Sequence, residues 1–344
     1  MVSQGCRLKA VVVVRFFVIP IGCDTSNQQA EQHQEQIGHF QNSLRTINRK
    51  LAVTMMNCQF TTKHNPTKGP SMQRTILITG CSSGIGYDAA HGLQARGWRV
   101  FATCRQEADC ARLRAEGLES FVLDYADEAS LTAAMAELRQ RTDRLDALFN
   151  NGAFACPGAV EDLPRDALRA IFEVNLFGYH DLTRRVIPMM RAQAAGRIVN
   201  CSSVLGLVGA KWRGAYVATK FAMEGLTDVL RIEMRGTGIE VVLIEPGPIT
   251  SNIRQNAAKH FERWIDWQNS ARRDQYAALR HRLYQSKGPD RFELPARAVT
   301  DVLIRALEAT RPRPRYYVTT PTYLMGLARR ILSTRALDWL IAKG

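Results

Sequence analysis

The sequence predicts an α/β protein: a single doubly wound parallel sheet with helices on both faces. Three observations carry this. From Thr75 onward, short β-branched and apolar runs alternate with helical stretches, and that alternation feeds a parallel sheet through crossover helices. Several of the 24 glycines gather where the first of these runs meets the first helix. The composition, 46% hydrophobic and 23% charged, is that of a globular chain and excludes collagen, coiled coil and wholesale disorder. No apolar run approaches the roughly 18 residues a membrane-crossing helix needs.

Taken in order, Thr75–Thr79 is the first strand and ends in a glycine-rich turn, and Tyr87–Gly97 reads as a helix. Arg99–Thr103, Ser120–Leu123 and Ala147–Phe149 are the next strands, separated by helices at Ala108–Glu116 and Leu131–Arg141. Arg165–Gln193 holds two helical segments around Asn175. Arg197–Cys201 is the fifth strand, Ala215–Gly236 a long helix and Glu240–Ile244 the sixth strand. Residues 251–295 form an insertion before a helix at Pro295–Ala309 and a last strand at Arg315–Thr319. Residues 321–344 read as two short basic amphipathic segments carrying Arg329, Arg330, Arg335, Trp339 and Lys343, suited to a partner subunit or a membrane surface. Ligands of such sheets bind outside the carboxyl ends of the strands, where the strand order reverses.

The first 71 residues differ in kind. Ala10–Ile21 is apolar but interrupted by Arg15, residues 24–50 are rich in Gln and Asn with little periodicity, and Met72 stands just before the first strand. The segment is expected to be a disordered, dispensable extension, with the folded domain running from residue 72 to 320. Net charge is +14, with 8 basic and 3 acidic residues in 1–71, 20 and 21 in 72–250, and 18 and 8 in 251–344. A groove-binding nucleic-acid domain would carry its excess on the body of the fold; here the body is neutral and the ends are basic. No nucleic-acid partner is expected, and the basic ends fit either a solvated surface or attraction to anionic lipid or ligand. Eight dispersed cysteines without a CxxC pair or a His cluster argue against a metal site and for reduced thiols in a cytoplasmic protein, membrane-peripheral at most.

Two constellations carry chemistry. In Thr79-Gly80-Cys81-Ser82-Ser83-Gly84-Ile85-Gly86 the glycines allow a tight strand-to-helix turn whose backbone N–H groups can meet a phosphate at a helix N-terminus. Gly80, Ser82, Ser83, Gly84, Ile85 and Gly86 are therefore candidate cofactor contacts. Tyr216-Val217-Ala218-Thr219-Lys220 places a phenol and an ammonium one helical turn apart. A cation so placed lowers a phenol's pKa from near 10 toward a useful range.

The T-G-x-x-x-G-x-G spacing of the turn, followed later by Y-x-x-x-K, resembles the short-chain dehydrogenase/reductase family from about Thr75 to Tyr317, and Glu245-Pro246-Gly247-Pro248-Ile249 resembles its branch with 17-beta-hydroxysteroid and retinol dehydrogenases. The resemblance implies a Rossmann-type sheet and an NADP(H)-dependent oxidoreductase interconverting an apolar alcohol and its ketone or aldehyde, as a monomer or homo-oligomer. It makes Tyr216 the general acid/base, Ser203 the partner of the substrate oxygen, Lys220 the ribose ligand that tunes Tyr216, and Asn175 the holder of a water linking Lys220 to solvent. Asp124 resembles the residue that contacts adenine, and Asn151-Gly152-Ala153 stands where the family has N-A-G. Pro246, Gly247, Ile249 and Thr250 resemble the loop closing over the nicotinamide. Strand two ends Ala102-Thr103-Cys104-Arg105, without the carboxylate that binds a free ribose 2′-hydroxyl; Arg105 suits a 2′-phosphate, hence NADP(H). In this family the insertion covers the substrate, and its Phe261, Trp264, Trp267, Tyr276 and Tyr284 either line an apolar pocket or pack the lid onto the body. A cofactor-binding regulator without turnover, or a peripheral membrane protein acting through its basic ends, is the alternative.

Overall fold

The computed structural model describes residues 73–285 and 290–343, so the extension expected over 1–71 lies outside the described residues. Seven strands pair in the order β3-β2-β1-β4-β5-β6-β7, every neighbour parallel. They are β1 (Thr75–Thr79), β2 (Arg99–Cys104), β3 (Glu119–Val122), β4 (Ala147–Asn150), β5 (Gly196–Cys201), β6 (Ile239–Glu245) and β7 (Arg315–Tyr317). Helices α1 (Gly84–Gln94), α2 (Glu107–Ala115), α3 (Glu128–Arg141), α4 (Arg165–Phe172), α5 (Gly178–Ala192) and α6 (Gly214–Glu233) alternate with the first six strands. The insertion holds α7 (Ile253–Trp264) and α8 (Arg273–Tyr284), and α9 (Arg297–Glu308) precedes β7. The tail is α10 (Thr320–Ile331) and α11 (Thr334–Lys343), with Tyr323, Leu324, Leu327 and Ile331 exposed on α10.

Side chains alternate across the pleat. Ile76 and Ile78 join Ala89, Leu93, Leu113, Val299 and Leu303 under α1, α2 and α9. Leu77 joins Leu131, Leu182, Val186, Met190 and Met223 under α3, α5 and α6 on the other face. Both faces are covered, as an all-parallel sheet requires. The order reverses between β1 and β4, so the chains leaving those strands diverge and open a crevice at their carboxyl ends.

At the far edge, Arg315 on β7 ties three elements together. Its guanidinium bonds Glu224 and Asp228 of α6 and Glu245 of β6, the last two at 2.7 and 2.6 Å. Glu245 is fully buried and Glu224 nearly so. Burial first, and then the neighbouring Glu224, raise the Glu245 pKa, while Arg315 opposes the rise. Removing the shared cation strands two buried carboxylates, a loss of about 3–5 kcal/mol. Arg315→Met is therefore expected to lower the unfolding free energy by about that amount at pH 8. The deficit shrinks at pH 5, because carboxyls whose folded pKa is raised take up protons and gain stability as pH falls. Denaturant titration at the two pH values measures both effects; an equal deficit at each would contradict this account.

Candidate active site

The crevice is a cavity of about 1400 Å³. Gly80, Ser82, Ser83, Gly84, Ile85, Arg105, Asp124, Asn151, Gly152, Ala153, Ser203, Tyr216, Lys220, Pro246, Gly247, Ile249 and Thr250 all border it. Gly86 and Asn175 stand behind its wall.

The glycine turn is built for close approach. Gly80 and Gly84 have φ of +68° and +60°, and a Cβ on Gly86 would lie 2.3 Å from the Gly80 carbonyl oxygen. Ser83 caps α1 with extended backbone but no side-chain hydrogen bond. The first N–H groups of the helix are thus left for a ligand, and an anion there also meets the positive end of the helix. On the opposite lip Asn151 Nδ2 donates to the Thr79 carbonyl at 3.0 Å. A Cβ on Gly152 would meet its nearest neighbours at an ordinary 3.4 Å. The order Asn-Gly-Ala is therefore sterically equivalent at this position to the N-A-G it resembles.

A buried polar chain lies beneath the lip. The Thr79 hydroxyl accepts the Asn151 and Gly152 amides at 2.9 and 3.2 Å and meets the Tyr125 hydroxyl at 2.8 Å. Tyr125 donates to Asn150 Oδ1 at 2.6 Å; Asn150 Nδ2 donates to Thr183 and Asn200; Asn200 Nδ2 donates to Thr227 on α6 at 2.9 Å. Sequence reasoning missed Tyr125, Asn150 and Asn200. The only trace they leave is polarity inside or beside apolar strands, because their partners are brought together by sheet register.

Asn175 sits fully buried in a π-helical turn, Glu173–Phe177, joining α4 to α5. Its carboxamide accepts from the Phe154 amide at 3.1 Å and donates to the Phe154 carbonyl at 2.9 Å. That clamp holds Phe154 against His260 of α7, ring centroids 3.9 Å apart. Burial, then Arg105, Arg263 and Lys259, lower the His260 pKa, and Arg105 and His260 border the same cavity. Asp124 Oδ1 accepts the Ala126 amide at 3.0 Å and shapes the bend after β3.

Tyr216 and Lys220 share one face of α6. Lys220 is 1% exposed and its Nζ donates to the Cys201 carbonyl at 2.7 Å. It lies 5.5 Å from the centroids of both the Tyr179 and the Tyr216 rings. Burial pushes the ammonium down to about 8, with Cys201 and Glu224 opposing. The Tyr216 phenol is raised well above its usual value by burial and by Cys201, against the Ser203 hydroxyl and Arg213. Burial is the largest influence on the phenol, and the ammonium, bonded to the Cys201 carbonyl, loses its own proton near 8, before the phenol does. Ser203 caps a short turn by accepting the Leu205 amide at 3.1 Å and faces the phenol. The Ser202 hydroxyl is buried without a hydrogen-bond partner.

Of the two roles open to the aromatics of the insertion, most take the packing one. Phe261 and Tyr276 are buried in a cluster with Cys156, Ile171, Ile265 and Leu279, and Trp264 and Trp267 pack against it. Tyr276 donates to Asp162 at 2.6 Å and accepts from the Ala159 amide at 2.9 Å. These aromatics fasten the lid to the loop after β4, and of the five only Tyr284 borders the cavity. The Thr250 hydroxyl donates to Glu293 at 2.8 Å and its amide to the Leu294 carbonyl at 2.9 Å, which ties it to the far end of the insertion.

The arrangement fits a dinucleotide by its own chemistry: uncapped helix amides for the phosphates, an Arg105 that has no hydrogen bond or ion pair among the described residues, and an ammonium with two N–H donors left over. Holding that ammonium buried costs stability. Lys220→Met is expected to raise the unfolding free energy at pH 7 by about 1–3 kcal/mol, the ammonium penalty at about 1.4 kcal/mol per tenfold less a hydrogen bond of about 1 kcal/mol. The folded ammonium loses its proton near 8 and the unfolded one near 10.5, so the variant's advantage declines between those values. Thermal unfolding across that range checks it; a destabilised variant at pH 7 would refute it.

A profile described as short chain dehydrogenase matches residues 74–261. The uncharacterized oxidoreductase YbbO of Escherichia coli is 36% identical over 275 residues, covering 79% of this chain and 96% of that protein. Human 17-beta-hydroxysteroid dehydrogenase type 1 is 32% identical over 276 residues, covering 76% and 82%. A solved short chain dehydrogenase/reductase of Burkholderia phymatum in complex with NAD superposes with a TM-score of 0.64 at 26% identity, covering 78% and 95%. The profile spans more than half of the chain and the relatives exceed 30% identity along most of their length, so the chain belongs to the short-chain dehydrogenase/reductase family of oxidoreductases acting on CH–OH groups.

Proposed function

We propose that the protein interconverts an apolar alcohol and its ketone or aldehyde with NADP(H). The observation that carries this reading is the meeting of Tyr216, Ser203 and Lys220 in one crevice with the glycine turn. When bound, the cofactor supplies or accepts the hydride. Ser203 hydrogen-bonds the substrate oxygen, and Tyr216 gives or takes the proton there. The high pKa of the buried phenol keeps it protonated across neutral pH, which suits donation to a forming alkoxide. Lys220 offers its two free N–H donors to ribose hydroxyls and, charged below about pH 8, favours the phenolate left after donation. Asn175 acts through Phe154, fixing the wall between phosphate turn and lid. Apolar groups on that side, among them Phe154, Val174, Leu205 and Leu283, support an apolar substrate.

Tyr216→Phe deletes one hydroxyl and keeps the ring. Turnover should fall by roughly 10²–10⁴-fold, while the dissociation constant for NADPH measured by calorimetry changes little. Near-normal turnover would assign proton transfer to another group.

The cofactor reading rests on β2. It ends without an acid, and Arg105 is exposed at the cavity edge. A charge-assisted contact to a 2′-phosphate contributes about 1.5–3 kcal/mol, or roughly ten- to a hundredfold. Arg105→Ala should weaken NADPH by that factor and leave NADH nearly unchanged in direct binding titrations. Equal weakening of both, or equal affinity of the wild type for both, would overturn it.

A further inference from the structure

We infer that Arg213 is a substrate-binding residue, and that the carbonyl substrate carries a carboxylate that Arg213 holds while the reacting oxygen lies at Tyr216. The inference rests on the reductase reading above and narrows its substrate to one with an anionic end.

Arg213 is the N-cap of α6, three residues before Tyr216, and it borders the cavity beside that phenol. Residues so spaced lie on one side of a helix end, about 5–6 Å apart at Cβ. Among the described residues, Arg213 is the one sheltered arginine whose guanidinium has no hydrogen bond and no ion pair. The others are provided for: Arg99 bonds Glu119, Arg315 bonds three carboxylates, and Arg197 donates to three backbone carbonyls. The fold thus pairs its sheltered guanidiniums as a rule, and the exception opens into the substrate end of the cleft.

The surroundings add positive charge. Arg254 of α7 and Arg282 of α8 both bond one carboxylate, Asp290, at 2.5 and 3.1 Å, and both border the same cavity. Arg254 and Arg282 thus occupy Asp290, and the neighbouring Glu293 is taken up by the Asp290 amide and the Thr250 hydroxyl, which leaves no carboxylate bonded to Arg213. Burial and these two arginines make the charge on Arg213 unfavourable, with only Tyr216 and Asp290 opposing. An incoming carboxylate would relieve that imbalance, and a planar guanidinium can grip it through two N–H donors. Phe154, Leu205 and Leu283 border the same cavity as Arg213, which suits an oxo acid with an aliphatic middle.

The test compares a homologous series of ω-oxo carboxylates with n-alkanals of equal length, reduced with NADPH by the wild type, Arg213→Gln and Arg213→Lys. The expected result is a wild-type preference in kcat/KM for the oxo acid of about ten- to a hundredfold at the best length, from a contact of about 1.5–3 kcal/mol. The preference should collapse in Arg213→Gln, chiefly through KM, and return in part in Arg213→Lys. A preference for alkanals, or equal losses on both series, would overturn the inference. So would a loss of NADPH affinity in Arg213→Gln matching the loss on oxo acids, since Arg213 would then serve the cofactor. If neither series is reduced, the aldehyde reading fails independently, and calorimetry with glutarate on the NADP-loaded protein decides the carboxylate site alone: binding lost in Arg213→Gln supports it, and no binding by the wild type refutes it.

Discussion

The hydroxyl of Thr79 is the contact around which the crevice is organised. It stands where β1 ends and strand order reverses, accepts two amides from the chain leaving β4, and meets the hydroxyl of Tyr125. Parallel strands that diverge at a switch point leave backbone groups that no neighbouring strand can satisfy. Thr79 satisfies two of them and fixes how far apart the two lips stand. Through Tyr125, Asn150 and Asn200 the same chain of hydrogen bonds reaches Thr227 on α6, the helix that carries Tyr216 and Lys220. The glycine turn and the helix that carries Tyr216 are thus registered against each other by a continuous buried polar layer, in which each member fixes its neighbour's orientation.

Two sheltered cations show what the fold does with charge. Arg315 is surrounded by carboxylates and joins β6, β7 and α6 into one edge. Lys220, one turn before Glu224 on the same helix, has a single carbonyl for a partner and an ammonium pushed down to about 8. The first arrangement holds structure together; the second holds a charged group ready and under-satisfied where a ligand arrives. Functional sites commonly carry such local instability on a scaffold that is stable elsewhere.

The parts of this design visible in the sequence are those whose chemistry is local. Glycines at Gly80, Gly84 and Gly86 declare a turn because backbone sterics act within a few residues, and Tyr216 and Lys220 declare a shared face because helical spacing does the same. The seven strands and their helices were legible within a few residues at each end for that reason; α1 begins at Gly84 rather than Tyr87, directly after its N-cap Ser83 inside the glycine turn. Tyr125, Asn150 and Asn200 were not legible, since their meaning depends on which strands become neighbours. Nor was the orientation of Lys220: spacing puts it beside Tyr216, but the Cys201 carbonyl at the end of β5 decides where the ammonium points.

The lid marks the limit of composition as a guide. Five aromatics in an insertion fit a greasy pocket and a docking patch equally well, and Phe261 and Tyr276 are consumed in fastening that insertion to Ile171 and the loop after β4. A lid made of two short helices has little core of its own, and large aromatic side chains bury enough area to dock it. With those two spent on docking, the part of the insertion along the cavity mixes apolar Ile253, Leu283 and Tyr284 with basic Arg254, Lys259, His260 and Arg282 and acidic Asp290 and Glu293. The basic excess of residues 251–344, which by count alone fits a solvated surface as well as a ligand, therefore falls partly on the wall of the cleft. Charge that looks diffuse along the chain is gathered by folding onto the wall of the cleft that Tyr216 also borders, where a low-dielectric surface focuses its field.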